Sequence, residues 1–480
     1  MAKPDRLSAL DAGFLHLERS GAHMHVAAIF VFDGDPPPYD EVVEAIEARM
    51  HLVPRYRQKL AHVPLGQGRP VWVDDPHFNP RYHLRHSALP APGSDEQLKN
   101  LAGRLFARPL DRTKPLWELN LVEGLDGGRF AIISKTHHAL VDGISGVDIT
   151  SVLFDTSAEP APVSPEPRPW LPRPEPTEAE LLAQALVERA TVPAEGARVV
   201  RAFTRAPRQA LAHAGEWLVG VGAMAWAGLS PAPPTPFNVA IGPHRRYTWV
   251  DADLAGFKAI KDALGGTLND VVLASVALAL GRFLRRRGED TDELVLRAMV
   301  PVSVRAETER DAVGNRIAAV WAPLPVGIEE PAAVLAEISE AMRSLKESGQ
   351  AVGARSLTSL ADFASPTIMS QAARLQSRQR FFNLVVTNVP GPQITLYLLG
   401  HRLRAFYPVV PLARQQALGV AVMSYDGRLG FGLLADYDAV PDLEALAGDL
   451  ETAIADLSRA AGASDRPPRA RTRKPEPARQ

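Results

Sequence analysis

His137 and His138 stand side by side in KTHHALVDGISG, residues 135–146, with Asp142 four residues after the second ring and Gly143 next to it. An imidazole titrates near neutral pH, so it can take a hydroxyl proton as that oxygen attacks a carbonyl. A metal centre would need a third ligand and two convergent rings. The stretch FAIISKTHH reads as a strand, in which neighbouring side chains point to opposite faces. The two rings therefore diverge, which speaks against a metal. One histidine is a candidate base at a cavity; the other packs or holds the loop. Gly143 lets the chain turn sharply into a helical pattern from Ile144 to Phe154. Asp142 has two readings, a partner that orients the base or a residue that fixes the turn.

The elements needed to position these groups are legible along the chain. Ser8, three residues before Asp11, has the spacing of a helix-start capping box in SALDAGFLHLE. AHMHVAAIFVFDG reads as a strand ending in a turn, and DEVVEAIEARM has helical spacing. WELNLVEGLDGGRFAIISKTHH is a hairpin about Asp126-Gly127-Gly128, and LGVAVMSYDGRLGFGLLADYD is another about Asp426-Gly427. ELVLRAMVPVSVR, RIAAVWAPLPV and FFNLVVTNV are strand-like. Thr267 followed by Asp270 is a second capping box, opening the helix NDVVLASVALALGRFLRR.

Eight prolines between Pro160 and Pro176 interrupt this pattern and read as an extended linker. They predict an N-terminal half over 1–155, a proline-rich linker and helical crossover over 156–234, a C-terminal half over 235–460 and a disordered basic tail over 461–480. At 480 residues two units are expected, and mixed helices and strands in both make the fold class α/β. The cleft between two such halves is the expected place for substrate.

Composition removes several alternatives. A net charge of −2 gives no electrostatic reason to expect nucleic acid. The chain has no cysteine, so acyl transfer has to proceed without an enzyme thioester. The N-terminal stretch MAKPDRLSALDAGF lacks the apolar core of a signal peptide. The most apolar run, Trp217 to Leu229, is too short to span a bilayer and reads as a buried helix or a segment lying on a membrane surface. A cytoplasmic protein follows, either free or peripheral at a membrane or lipid inclusion. The tail SDRPPRARTRKPEPARQ is read as solvated, with attraction to anionic lipid as the other possibility.

HHALVDG matches the HHxxxDG motif of the bacterial wax ester synthase/diacylglycerol acyltransferases, which nonribosomal peptide condensation domains share. Further blocks make the resemblance specific: LSALDAGFL with MHVAAI, PLWE at 115–118, residues 242–276 ending near Asn269-Asp270, TNVPGP at 387–392, and SYDGRLGFGLLAD at 424–436. They cover residues 5 to 455 in order. Thr387 stands where serine is commoner in this family, and Ala9 where proline is.

The resemblance implies two chloramphenicol-acetyltransferase-like halves with mixed sheets and an active-site channel at their interface. It implies an O-acyltransferase that uses acyl-CoA as co-substrate, with no other cofactor, and a long-chain alcohol or diacylglycerol as acceptor; the alternatives are transfer from a carrier-bound donor to a polyketide alcohol or amine, and a non-catalytic lipid-binding protein. His138 would be the catalytic base and His137 would face the protein. By the same resemblance Asp142 is more a turn-fixing residue than a relay. Asn269 would serve the oxyanion or orient the acceptor. His137, Gly143, Asp270 and Trp117 would line or support the substrate site, with Asp270 starting its helix and Trp117 packing beneath the channel. Arg245 and Arg246 are open between CoA phosphates and a solvated face.

Overall fold

The computed structural model describes residues 5–18, 21–141, 153–159, 169–187, 231–303, 317–347 and 381–462. The apolar run 217–229 and the basic tail from 463 onward lie outside them, as does most of the expected crossover; residues 178–187 are helical.

Two mixed six-stranded sheets form the frame. The first contains β1 (His25–Asp33), β4 (Leu84–Ala88), β5 (Trp117–Leu125), β6 (Arg129–His137), β11 (Tyr397–Leu398) and β12 (His401–Val409), in the order β11-β12-β1-β6-β5-β4. The second contains β7 (Arg245–Asp253), β8 (Val295–Ser303), β9 (Ile317–Pro325), β10 (Leu384–Pro390), β13 (Leu418–Tyr425) and β14 (Arg428–Asp436), in the order β7-β14-β13-β10-β8-β9. The remaining strands, β2 (Gln58–Ala61) and β3 (Val71–Asp74), make a small ribbon. Helices α1 (Ala9–Leu17), α2 (Tyr39–Arg49), α3 (Pro80–His83), α4 (Asp95–Phe106) and α5 (His138–Val141) accompany the first sheet. After α6 (178–187), helices α7 (Leu254–Leu264), α8 (Leu268–Arg286), α9 (Pro331–Glu347) and α10 (Leu443–Ala460) pack with the second.

Both expected hairpins form, β5–β6 and β13–β14, because each turn holds residues that accept positive φ: Gly127 at 68° and Gly128 at 63°, Asp426 at 44° and Gly427 at 79°. β1 and β6 are buried on both faces. Phe30, Phe32, Phe130 and Ile132 enter one core, with Trp117. Ile29, Val31, Ala131 and Ile133 enter another, with Leu98 and Phe106 of α4 and with Tyr247, Tyr407 and Leu434. That second core is shared between the halves.

The chain is not partitioned where the prolines predict. Residues 397–409, expected within the second half, complete the first sheet: β12 pairs antiparallel with β1, from Ala27 opposite Val409 to Phe32 opposite Leu403. The open edge of β1 carries unpaired backbone groups, and β12 supplies partners for them. β12 then lies against β14, where Gly430 and Gly432 leave room for its backbone. A methyl group at either glycine would run into the Phe406 or Pro408 carbonyl oxygen. Trp249 stacks on Tyr407 across the same junction, centroids 4.6 Å apart, and Tyr407 Oη donates to Asp251 Oδ2 at 2.7 Å.

No single helix among the described residues is long and apolar enough to cross a membrane. α8 is apolar because it is the central helix of the second core, buried from Asp270 to Gly281.

Candidate active site

β6 ends at His137, and α5 begins at His138. The two rings therefore part at a strand-to-helix junction, where strand alternation alone was expected to separate them. His137 N donates to Leu116 O at 2.9 Å, and His138 N donates to Met24 O at 2.8 Å, closing the ladder. The His137 ring then turns back on the new helix: Ala139 N donates to its Nδ1 at 3.0 Å. This satisfies one of the amides that a helix start leaves without a partner.

His138 is half-buried, and the ring of Phe14 from α1 stacks on it. His137 is buried, with 1 % of its surface exposed. It opposes His25 in the β1–β6 ladder, and the rings meet edge to face at 5.8 Å. Asp142 and Gly143 lie outside the described residues.

Behind the histidine pair is a polar cluster that the motif does not announce. Glu18, just past the end of α1, is almost enclosed, yet it is surrounded by donors. Its Oε2 meets His137 Nε2 at 3.3 Å and Arg112 Nε at 3.1 Å, with a second guanidinium contact from Arg112 Nη2. Its Oε1 lies 3.4 Å from His23 Nδ1 and 3.3 Å from His25 Nε2. Burial alone would push the Glu18 carboxyl up. The hydrogen bonds from His137 and Arg112 and the close contacts of His23 and His25 outweigh it and hold the group well below the usual carboxylate range. Burial lowers the pKa of His25 to about 4 against the pull of Glu18, so this ring is neutral at pH 7.

Among the described residues no group of three or more histidines and carboxylates is arranged to hold a metal ion. His23 and His25 also line a small crevice between the halves, with Phe106, Arg245, Val409 and Leu434 on its other sides. Arg245 is buried there and committed to carbonyls: Gly242 O at 2.8 Å, His244 O at 2.7 Å, and Gly21 O. It is a bridge between halves rather than a solvated cation. Arg246 lies over the Tyr437 ring, 3.7 Å from its centroid.

The second half contributes a separate polar pair. Thr267 and Asp270 form the expected capping box: Asp270 N donates to Thr267 Oγ1 at 3.3 Å, and Thr267 N to Asp270 Oδ2 at 2.8 Å. Asn269 sits between them, half-buried, and its Oδ1 accepts from Asn388 Nδ2 of β10 at 3.4 Å. No hydrogen bond joins this pair to the histidine cluster among the described residues.

Trp117 is placed in the core. It is 1 % exposed, its Nε1 donates to Tyr56 O at 2.8 Å, and it stacks on His83 with centroids 4.5 Å apart. A side chain so enclosed packs from within the core rather than lining a cavity, and it supports the start of β5.

Residues 7–272 match the wax ester synthase/diacylglycerol acyltransferase catalytic domain, and residues 313–458 match the WS/DGAT C-terminal domain. The chain belongs to this family. It is, accordingly, an acyltransferase. A Mycobacterium tuberculosis protein named as a diacylglycerol O-acyltransferase is 34 % identical over 468 residues, covering 95 % of this chain and 90 % of the relative. A second from that species, named as a probable diacylglycerol O-acyltransferase, is 33 % identical over 465 residues, covering 94 % and 96 %. The WS/DGAT structure from Marinobacter aquaeolei VT8 superposes with a TM-score of 0.66 at 27 % identity, over 95 % of this chain and all of that one. A starter condensation domain of rhizomide synthetase, solved with C8-CoA and Leu-SNAC, superposes at 0.56 with 16 % identity over 96 % of this chain and 95 % of its own, a likeness of fold. In this WS/DGAT member the missed groups are Glu18, His23, His25 and Arg112. The signal for two of them was the alternation His23-x-His25 leading into an otherwise apolar strand, a spacing that puts polar rings on one side of an extended chain.

Proposed function

We propose that this WS/DGAT member moves a fatty acyl group from acyl-CoA to a long-chain alcohol or diacylglycerol in one ternary complex, with His138 as general base. The observation that carries this reading is the setting of His138: one ring face covered by Phe14, the backbone pinned on both sides, and the ring left half-open at a strand end.

The imidazole takes the proton of the acceptor hydroxyl as its oxygen bonds to the thioester carbonyl carbon. The tetrahedral oxyanion then collapses, the C–S bond breaks, and the thiolate leaves as CoA with the proton that the imidazolium returns. No acyl-enzyme forms, in keeping with a chain without cysteine. Asn269 serves the oxyanion. Its carbonyl oxygen is engaged by Asn388, which turns its NH2 group elsewhere, and such a donor contributes about 3 kcal/mol to a transition state. Acyl-CoA is the donor and no cofactor takes part.

The test is palmitoyl-CoA incubated with hexadecanol or with diacylglycerol, following free thiol. The protein has no thiol of its own, so every thiol signal is released CoA. Ester and CoA in equal amounts, lost in His138→Ala, are expected. The reading fails if neither acceptor yields ester or if His138→Ala retains the full rate.

A further inference from the structure

We propose that Glu18 is a positioning residue that acts on His138 through the proton placement of His137. The inference rests on His138 being the base and adds what holds it.

An imidazole with one proton has a donor nitrogen and an acceptor nitrogen, and its partners select which is which. Both partners of His137 are described. Ala139 N–H can only donate, so Nδ1 must carry the lone pair. The Glu18 carboxylate can only accept, so Nε2 must carry the proton. The two demands agree, and they form a chain: Glu18 Oε2, His137 Nε2–H, His137 Nδ1, Ala139 N–H. Ala139 follows His138 directly, and its amide belongs to the first turn of α5. Arg112, His23 and His25 keep Glu18 ionised and in place.

Without the carboxylate neither proton placement works. A proton on Nε2 is a buried donor with no acceptor, and a proton on Nδ1 points at the Ala139 amide, donor against donor. The ring has to leave its place, the first turn of α5 loosens, and the His138 ring leaves its alignment.

The first experiment reads the proton directly. Protein labelled with 15N-histidine is observed by NMR at neutral pH, and the His137 signal is assigned by its disappearance in His137→Asn. A protonated Nε2 with a bare Nδ1 is expected. A proton on Nδ1, or on both nitrogens, overturns the proposal. This readout needs no activity, so it stands or falls apart from the role of His138, which His138→Ala decides.

The second experiment is kinetic. Glu18→Met, similar in shape but without an acceptor, is expected to lower kcat about 100-fold, the scale of a misaligned catalytic group, with KM for acyl-CoA and acceptor within two-fold. Glu18→Gln can offer its carbonyl oxygen at the Oε2 position and is expected to recover at least ten-fold of that loss. In a His137→Asn background, where an amide oxygen replaces Nδ1 without any need for Glu18, adding Glu18→Met is expected to change kcat less than two-fold further. An undiminished kcat in Glu18→Met, or an equal loss in both backgrounds, overturns the proposal. Should Glu18→Met fail to fold, the NMR result on the unmodified protein decides.

Discussion

The ring of Phe14 lies 4.0 Å from the ring of His138, centroid to centroid, with 23° between their planes. α1 thus contributes a flat wall to the candidate base from 124 residues away in the chain. The wall closes one face of the imidazole. Phe14→Ala opens that face and lets the ring change rotamer, so kcat is expected to fall about 10- to 100-fold. Phe14→Leu keeps the bulk and is expected to stay within a few-fold. Steady-state CoA release from the two variants checks the difference; equal rates would mean that the stack has no part in turnover.

Asp270 caps its helix and its neighbour Asn269 is proposed to serve the oxyanion, and substitution separates the two. Asp270→Ala removes half of a capping box and is expected to cost about 1 kcal/mol of stability, read as a lower midpoint in urea. Asn269→Ala leaves the cap intact and is expected to lower kcat about 100-fold with an unchanged midpoint. A stability loss without a rate loss at Asn269 would remove it from the site.

Trp117→Phe removes the hydrogen bond to Tyr56 O and part of the stack on His83. It is expected to lower stability by about 2 kcal/mol while KM for both substrates stays constant in the folded protein. A raised KM at unchanged stability would instead make Trp117 a substrate contact.

Acid is expected to weaken the fold from about pH 6.5 downward, before the carboxylates titrate. Burial lowers both His25 and His83 to about 4, so the folded protein resists their protonation while the unfolded chain takes up protons near 6.5. Between those values the unfolded state binds more protons, and stability falls as pH falls. Glu18, held low, adds a loss of the same sign below its unfolded value near 4.5. A series of Tm values from pH 7.5 to 4.5 checks this; a flat profile down to 5 would contradict it.

Two glycines give opposite expectations. Gly448, within α10, has nothing within 4 Å of an added methyl, so Gly448→Ala is expected to stabilise by about 0.5–1 kcal/mol. Gly432 has the Pro408 carbonyl in the way and Tyr247 Oη at 2.7 Å, so Gly432→Ala is expected to cost about 3 kcal/mol by forcing β12 and β14 apart. Urea unfolding of the two proteins measures both.

Features governed by neighbours in the chain were legible. The capping box at Thr267 and both glycine hairpins follow from residues within a few positions of one another, and the structure forms them as expected. The partner of β1 was not legible, because β12 lies some 370 residues away and its pattern fits either sheet. The Glu18 cluster was hidden for the same reason. Residues 18, 23 and 25 are close in the chain, but 112 and 137 are not, and only the folded sheet brings all four partners onto the Glu18 carboxylate. The break between His137 and His138 was missed because a one-turn helix has too few residues to show a period.

The insertion of β12 beside β1 has a practical consequence for anyone wishing to dissect the chain. Expressed alone, residues 1–155 would present VAAIFVF as a bare strand edge, an invitation to aggregate. Supplied together as two polypeptides, the halves carry complementary edges, and each lacks what the other brings. That is the architecture of a split-protein reporter, with reassembly itself as the signal.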